Sequence, residues 1–230
     1  MGKSKYQFKP KATPAEMVIV AVMIIIMIAM STQVHLKHPL KVADPMDAAP
    51  MDARTRKLVA ATGAQVVPGK SVGKIKLGEE GEKLASILGK PAMGDAAMCK
   101  SWSRWKWGKP ANVVEVFESC DPQKDMRKTV QQIRFSGIPL GTRDDISTKS
   151  TFAQIKGRFP GLVAEATFTS KETGKNLMVL DQVQEGIAFV VDAAGDQPDP
   201  EGKCHMIIIH LPGKKAIDTY LQPEWTLHPL

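Results

Sequence analysis

Met17 to Met30 read MVIVAVMIIIMIAM, an apolar run without a single charge. As a helix this run is roughly 21 Å long, against roughly 30 Å of bilayer hydrocarbon. Carried on through Ser31 to Val34 it reaches about 27 Å, which spans with slight thinning. Beyond it the pattern changes to short alternations broken by Gly and Pro. Gly73-Lys-Ile75-Lys-Leu77-Gly78 reads as a short strand. A helical stretch follows over Glu79–Leu88, with Leu84, Ile87 and Leu88 at helical spacing and a stop at Gly89-Lys90-Pro91. The same order returns as Gly137-Ile138-Pro-Leu140-Gly141, then Thr151–Phe159 with Phe152, Ile155 and Phe159 on one face, then Pro160-Gly161. After each helix come alternating, β-rich segments separated by turn residues.

One hairpin can be registered from the pattern alone. The strands Met98–Trp107 and Asn112–Cys120 are joined by Gly108-Lys-Pro-Ala111, a common hairpin length. Pairing Trp107 with Asn112 sets Arg104 opposite Glu115, Trp102 opposite Phe117 and Cys99 opposite Cys120. An ion pair, an aromatic pair and a cysteine pair from one register support each other. Opposed Cα atoms lie about 4.5–5.5 Å apart, within disulfide range, so a Cys99–Cys120 bridge is expected. Cys204 is then the odd cysteine and reads as a buried small residue.

Leu162–Thr169, Asn176–Asp181, Ile187–Asp192 and Cys204–Leu211 read as further strands, and Met206–Ile209 suits a central one covered on both faces. The expected fold class is α+β: an N-terminal transmembrane helix followed by two tandem helix-plus-antiparallel-sheet repeats. The segments are a basic leader over 1–16, an anchor or signal over 17–34, and a Pro-rich linker over 35–70 with a short helix at Ala53–Ala61. The first repeat follows over 71–136, the second over 137–221, and a tail over 222–230.

Composition changes this picture little. The 230 residues are 43% hydrophobic and 24% charged, which suits a folded chain. Of the net charge of +7, the leader with Lys3, Lys5, Lys9, Lys11 and Glu16 holds +3, leaving a mildly basic remainder. That is too thin for a nucleic-acid stripe. The leader's lysines hold the N-terminus in the cytoplasm and export the rest, giving a single-pass cytoplasmic-membrane protein with a periplasmic domain. The alternative is an exported soluble protein, since Ala29 and Ser31 stand at −3 and −1 of a cleavage site. Either compartment is oxidising and admits the bridge.

The G-x-I-x-L-G opening, the helix ending in Leu88-Gly-Lys-Pro91 and the Trp-rich hairpin resemble the helix-plus-sheet module of the outer-membrane assembly lipoprotein family. Tandem copies over roughly 71–211 resemble the β-lactamase inhibitor protein fold, in which two such units form a concave sheet. The resemblance implies an interaction role. The chain departs from both: it has no lipid-attachment cysteine, and no inhibitory loop residue maps onto it.

Candidate chemistry is sparse. Ala64–Ser71 fits a relaxed phosphate-loop pattern, but Val72–Gly78 after it suits a strand where that loop needs a helix, so no nucleotide is expected. His205 and His210 lie five apart on one strand, on opposite faces, a poor metal pair. Asp192, Asp196, Asp199 and Glu201 crowd one loop without calcium-loop spacing and read as a solvated turn. No acid–base or nucleophile set is readable, so neither a catalytic residue nor a cofactor is assigned.

Trp102-Ser-Arg104-Trp105-Lys106-Trp107 remains. The register places Trp105, Trp107, Val114, Val116 and both cysteines on a core face. Trp102, Arg104, Lys106 and Phe117 share the other with Glu115, and are the candidate partner-binding residues. The ordinary explanation is that Trp102 and Phe117 pack under another segment. Three functions stay open: a non-catalytic interaction or scaffolding module of the bacterial cell envelope with a protein partner, an envelope enzyme or binder acting on cell-wall polymer, and a pilin-like subunit. The last rests on Thr13, Glu16 and the apolar run; no Gly precedes the cleavage point, and Pro39 interrupts the helix.

Overall fold

The computed structural model describes residues 65–108, 112–138, 140–142, 144–171, 173–219 and 225–229. A small sheet is built from β1 (Gln65–Val67), β2 (Ser71–Val72), β3 (Ile75–Lys76) and β8 (Gly141–Thr142), in the order β3-β2-β1-β8 with β8 parallel to β1. The large sheet carries two antiparallel meanders. One is β4 (Met93–Ala97), β5 (Lys100–Trp107), β6 (Asn112–Asp121) and β7 (Asp125–Ser136). The other is β9 (Val163–Ser170), β10 (Asn176–Gln182), β11 (Ile187–Ala194) and β13 (Cys204–His210), with β12 (Gln197–Pro198) hydrogen-bonded to β11. Their last strands pair antiparallel, and β14 (Trp225–Pro229) adds to β9, giving β14-β9-β10-β11-β13-β7-β6-β5-β4.

Three short helices complete the described chain: α1 (Leu84–Leu88), α2 (Phe152–Arg158) and α3 (Ala216–Thr219). Helix α2 starts in a capping box, with Thr151 accepting from the Gln154 N–H and Gln154 answering the Thr151 N–H. Helix α1 lacks such a cap and is preceded by a 3-10 turn, Gly81–Lys83.

Helices α1 and α2 and the small sheet cover one face of the large sheet. Val66, Val72, Ile75, Leu84, Ile138, Leu140, Ile155 and Phe159 meet Trp105, Val114, Val116, Ile133, Phe135, Ile187, Phe189, Ile207 and Ile209 in one buried cluster. Phe159 and Phe189 rings lie 5.1 Å apart in a tilted contact. Ala166, Phe168, Leu177, Val179, Ala188, Val190, Met206 and Ile208 form a second cluster on the opposite face, with Ala216 of α3 against it. Strand β13 is thus buried on both faces, as its apolar run implied.

The fold class expected from sequence is corrected. The described residues are mostly β-sheet, and the two meanders run as one sheet through β7 and β13 instead of forming two helix-plus-sheet units. The helical spacing at Leu84–Leu88 and Phe152–Phe159 is real, but it codes elements of five and seven residues, too short to set the class. The transmembrane and signal-anchor expectation is corrected too: among the described residues no helix is long and apolar enough to cross a membrane. Residues 17–34, the helix expected at 53–61 and the pilin-like N-terminus lie outside the described residues. The phosphate-loop pattern resolves into a β1–β2 hairpin whose Gly69 N–H donates to Gly186 O at 3.1 Å; strands follow it, with no helix to receive phosphate.

The hairpin register is the one read from sequence: Trp107 faces Asn112, Arg104 faces Glu115 and Trp102 faces Phe117. Cys99 and Cys120 are joined by a disulfide with Cα atoms 4.9 Å apart. Cys204 is free and buried, and burial pushes its thiol up to about 12, so it is inert as a nucleophile. The outer edge of this meander is β4, whose five residues are all exposed. Ala96 N–H faces away from β5 and is taken by Asp95 Oδ1 at 2.8 Å.

Replacing Cys99 and Cys120 together by Ser is expected to cost on the order of 3 kcal/mol, because the bridge joins positions 21 apart in sequence. Denaturant unfolding should show that loss, and reductant should reproduce it in the unmodified chain. Equal midpoints with and without reductant would refute the contribution assigned to the bridge.

Candidate partner-binding face

Strand β5 alternates two kinds of residue. Ser101, Ser103, Trp105 and Trp107 point to the helix-covered face, where Trp105 is 5% exposed and its Nε1 donates to Gly89 O at 2.9 Å. Lys100, Trp102, Arg104 and Lys106 point to the other face. There Lys100 and Lys106 are exposed, while Trp102 and Arg104 are half-buried.

The cross-strand register extends this face into two rows. Arg104 lies opposite Glu115, Glu115 opposite Arg134, Arg134 opposite Ile208, Ile208 opposite Ala188 and Ala188 opposite Asp181. The neighbouring row runs Trp102, Phe117, Gln132, His210. Arg104 Nε donates to Glu115 Oε1, and its guanidinium carbon stands 5.7 Å from the Trp102 ring centroid. Farther in, Arg134 Nε donates to Gln132 Oε1 at 2.7 Å, and Gln132 Nε2 to Ala216 O at 2.8 Å. Asp181 Oδ2 accepts the Ala216 N–H at 2.8 Å and Oδ1 faces His210 Nε2 at 2.9 Å. Asp181 and His210 are fully buried, so removing one partner strands a charge or a polar ring in the core.

All four candidate residues therefore share one face, though their availability differs. Phe117 is 8% exposed and belongs to the platform beneath, while Trp102, Arg104 and Lys106 reach the surface. The sequence reading missed Lys100, Gln132, Arg134 and Asp181, and weighed His210 only as a metal ligand. The even spacing of Lys100 with Trp102 was the available signal for the first. For Gln132 and Arg134 it lay in β7, whose polar residues obscured the strand, whereas Asp181 lies near the end of β10, a strand that was read without its partner His210.

A cleft of about 580 Å³ lies at the far end of the hairpins, lined by Glu80, Gly81, Glu118, Asp125, Met126, Arg127 and Lys128. Its charges close on one another. Arg127 pairs with Glu80 and Asp125, each at 2.6 Å, and Lys128 Nζ donates to Ala97 O at 2.7 Å and Lys100 O at 3.2 Å. Ser101 Oγ donates to Glu118 Oε2 at 3.3 Å. A Cβ on Gly81 would stand 1.1 Å from Glu118 Oε1, so glycine makes room for that carboxylate. Burial pushes the Glu118 carboxyl above its ordinary range against the pull of Ser101 and Lys128. The arrangement ties the 3-10 turn to the hairpins.

The acidic loop is likewise tied inward: Asp192 accepts the Lys203 N–H at 3.0 Å and faces His205 Nε2 at 2.7 Å. Among the described residues no group of three or more His, Cys, Asp or Glu side chains is placed to hold a metal ion. No protein-family model matches the sequence, and neither a curated protein nor a solved structure matches the chain. The resemblance described above thus rests on the Gly73–Gly78 and Leu88–Pro91 motifs and the Trp-rich hairpin alone.

Glu118 gives a pH prediction with a definite sign. Its folded value lies above the ordinary 4.5, so its contribution is fully present below 4.5 and is lost as pH rises through the raised folded value. Glu118→Gln should therefore melt above the unmodified protein at pH 7 and lack that loss on the alkaline side of 4.5. Thermal melts across pH check this; a variant that melts lower at pH 7 would show that the carboxylate is stabilising there.

Proposed function

We propose that this chain is an exported, non-catalytic protein-interaction module of the cell envelope, and that its partner docks on the face carrying Trp102, Arg104 and Lys106. The observation that carries the reading is the Arg104 guanidinium beside the Trp102 ring on a half-exposed surface backed by buried Phe117, Glu115 and Gln132. Trp and Arg are the residues that most often dominate contact energy, and a rigid sheet holds them without ordering cost. Export is supported by the disulfide, which persists in oxidising compartments, and by the basic leader ahead of the apolar run with its Ala29/Ser31 cleavage pattern.

The test uses two tryptophans three residues apart on opposite faces. Trp105→Ala removes a buried ring and its bond to Gly89, and should cost about 3–5 kcal/mol of stability. Trp102→Ala should leave the melting temperature nearly unchanged and weaken complex formation by about 2 kcal/mol, roughly 30-fold. Thermal unfolding and quantitative co-purification from cross-linked envelope measure both. If Trp102→Ala melts as low as Trp105→Ala, the ring is core and the docking face is lost.

A further inference from the structure

We infer that the partner segment recognised by this face is an extended, acidic peptide strand laid along β5. This rests on the docking reading above and adds the chemistry of what docks. On that face β5 presents Lys100, Trp102, Arg104 and Lys106, one side chain every second residue, so neighbours stand about 6.8 Å apart and the two lysines about 20 Å apart.

The cations differ in their satisfaction. Arg104 is held by Glu115 and leans on Trp102. Neither lysine has a carboxylate opposite it: Lys106 faces Val113, and Lys100 lies between Ser119 and Ala97. The nearby Asp95, opposite Trp102, uses Oδ1 on the Ala96 N–H. Two exposed ammonium groups thus bracket an aromatic–guanidinium pair, and among the described residues neither enters an ion pair.

A partner strand has the same two-residue repeat. Acidic side chains at alternate positions therefore fall in step with Lys100 and Lys106 along the whole stripe, which a helix with its 3.6-residue period does not do. On the β4 flank of this face stand Ala97 beside Lys100, Asp95 beside Trp102 and Met93 beside Arg104; only the Lys100 end is low, so an extended chain reaches β5 from that end. Opposed charges at this spacing raise the encounter rate and set register, while Trp102 supplies the apolar contact.

The test uses the full secreted chain and a fluorescein-labelled peptide, Glu-Val-Glu-Val-Glu-Val-Glu, with its Lys-for-Glu counterpart and a single-stranded oligonucleotide as comparators. Fluorescence anisotropy should show the acidic peptide binding with salt-dependent affinity, and the lysine peptide not binding. Lys100→Glu and Lys106→Glu should each weaken it by about tenfold, and the double variant should bind the lysine peptide instead. Indifference of the acidic peptide to both reversals overturns the inference. An oligonucleotide that binds as tightly and loses as much on reversal also overturns it, in favour of a polyanion surface. If Trp102→Ala abolishes partner co-purification while both lysine reversals leave it intact, the docking face stands and its acidic partner does not. If none of the three variants changes either readout, the docking face itself falls.

Discussion

The pairing of β7 with β13 is the contact on which the rest of the structure depends. Ile207 faces Phe135 and Ile209 faces Ile133, all four fully buried on the helix-covered side. Their neighbours Arg134, Gln132, Ile208 and His210 point to the other side. This seam makes the two meanders one sheet, so the helices α1 and α2 pack on a shared floor. Without it each meander exposes a long edge and half of its apolar core, a condition that β-sheets tolerate poorly in water.

The seam also determines what the second face can be. On the β9–β13 side that face is apolar, from Phe168 to Ile208; on the β5–β7 side it is charged and aromatic. The change happens across one strand pair, where Ile208 lies opposite Arg134. Buried polar groups at such a border must be satisfied in place, and Gln132, Asp181 and His210 do this by converging on the first turn of α3. The polar groups so fixed form a platform that holds Phe117 and Glu115, and through them Trp102 and Arg104, in one orientation.

Legibility followed local pairing. The β5–β6 register, the Cys99–Cys120 bridge, the four later strands and the doubly covered β13 could all be read from residues close in sequence or strict in alternation. Strand β7 was not legible as such. Its apolar set is Val130, Ile133 and Phe135, and the register shift opposite Phe117/Glu118 breaks the alternation between the first two. Gln132 and Arg134 are polar because they face the charged rows, so the most central strand carries little strand signal. The β7–β13 partnership joins residues more than seventy positions apart, and no local pattern states it. The fold class failed for that reason: helical spacing is visible in five residues, whereas a sheet is a property of distant pairings. On the candidate face, the sequence supplied which residues share a side, but their depth depended on the rows behind them, which is why Phe117 is platform where Trp102 is surface.

The outer strand β4 has one further consequence. An edge with free amides recruits other strands, and a sheet of this width offers a long template for growth. Here Asp95 turns its carboxylate onto the Ala96 amide, the outward-facing donor next to it, so a charge sits where an incoming strand would have to seek a hydrogen bond. The cap is covalently local and requires no partner. Growth of the sheet by a further strand is thereby disfavoured at this point of the β4 edge, so resistance to edge-to-edge association is built into the residue beside the amide it shields.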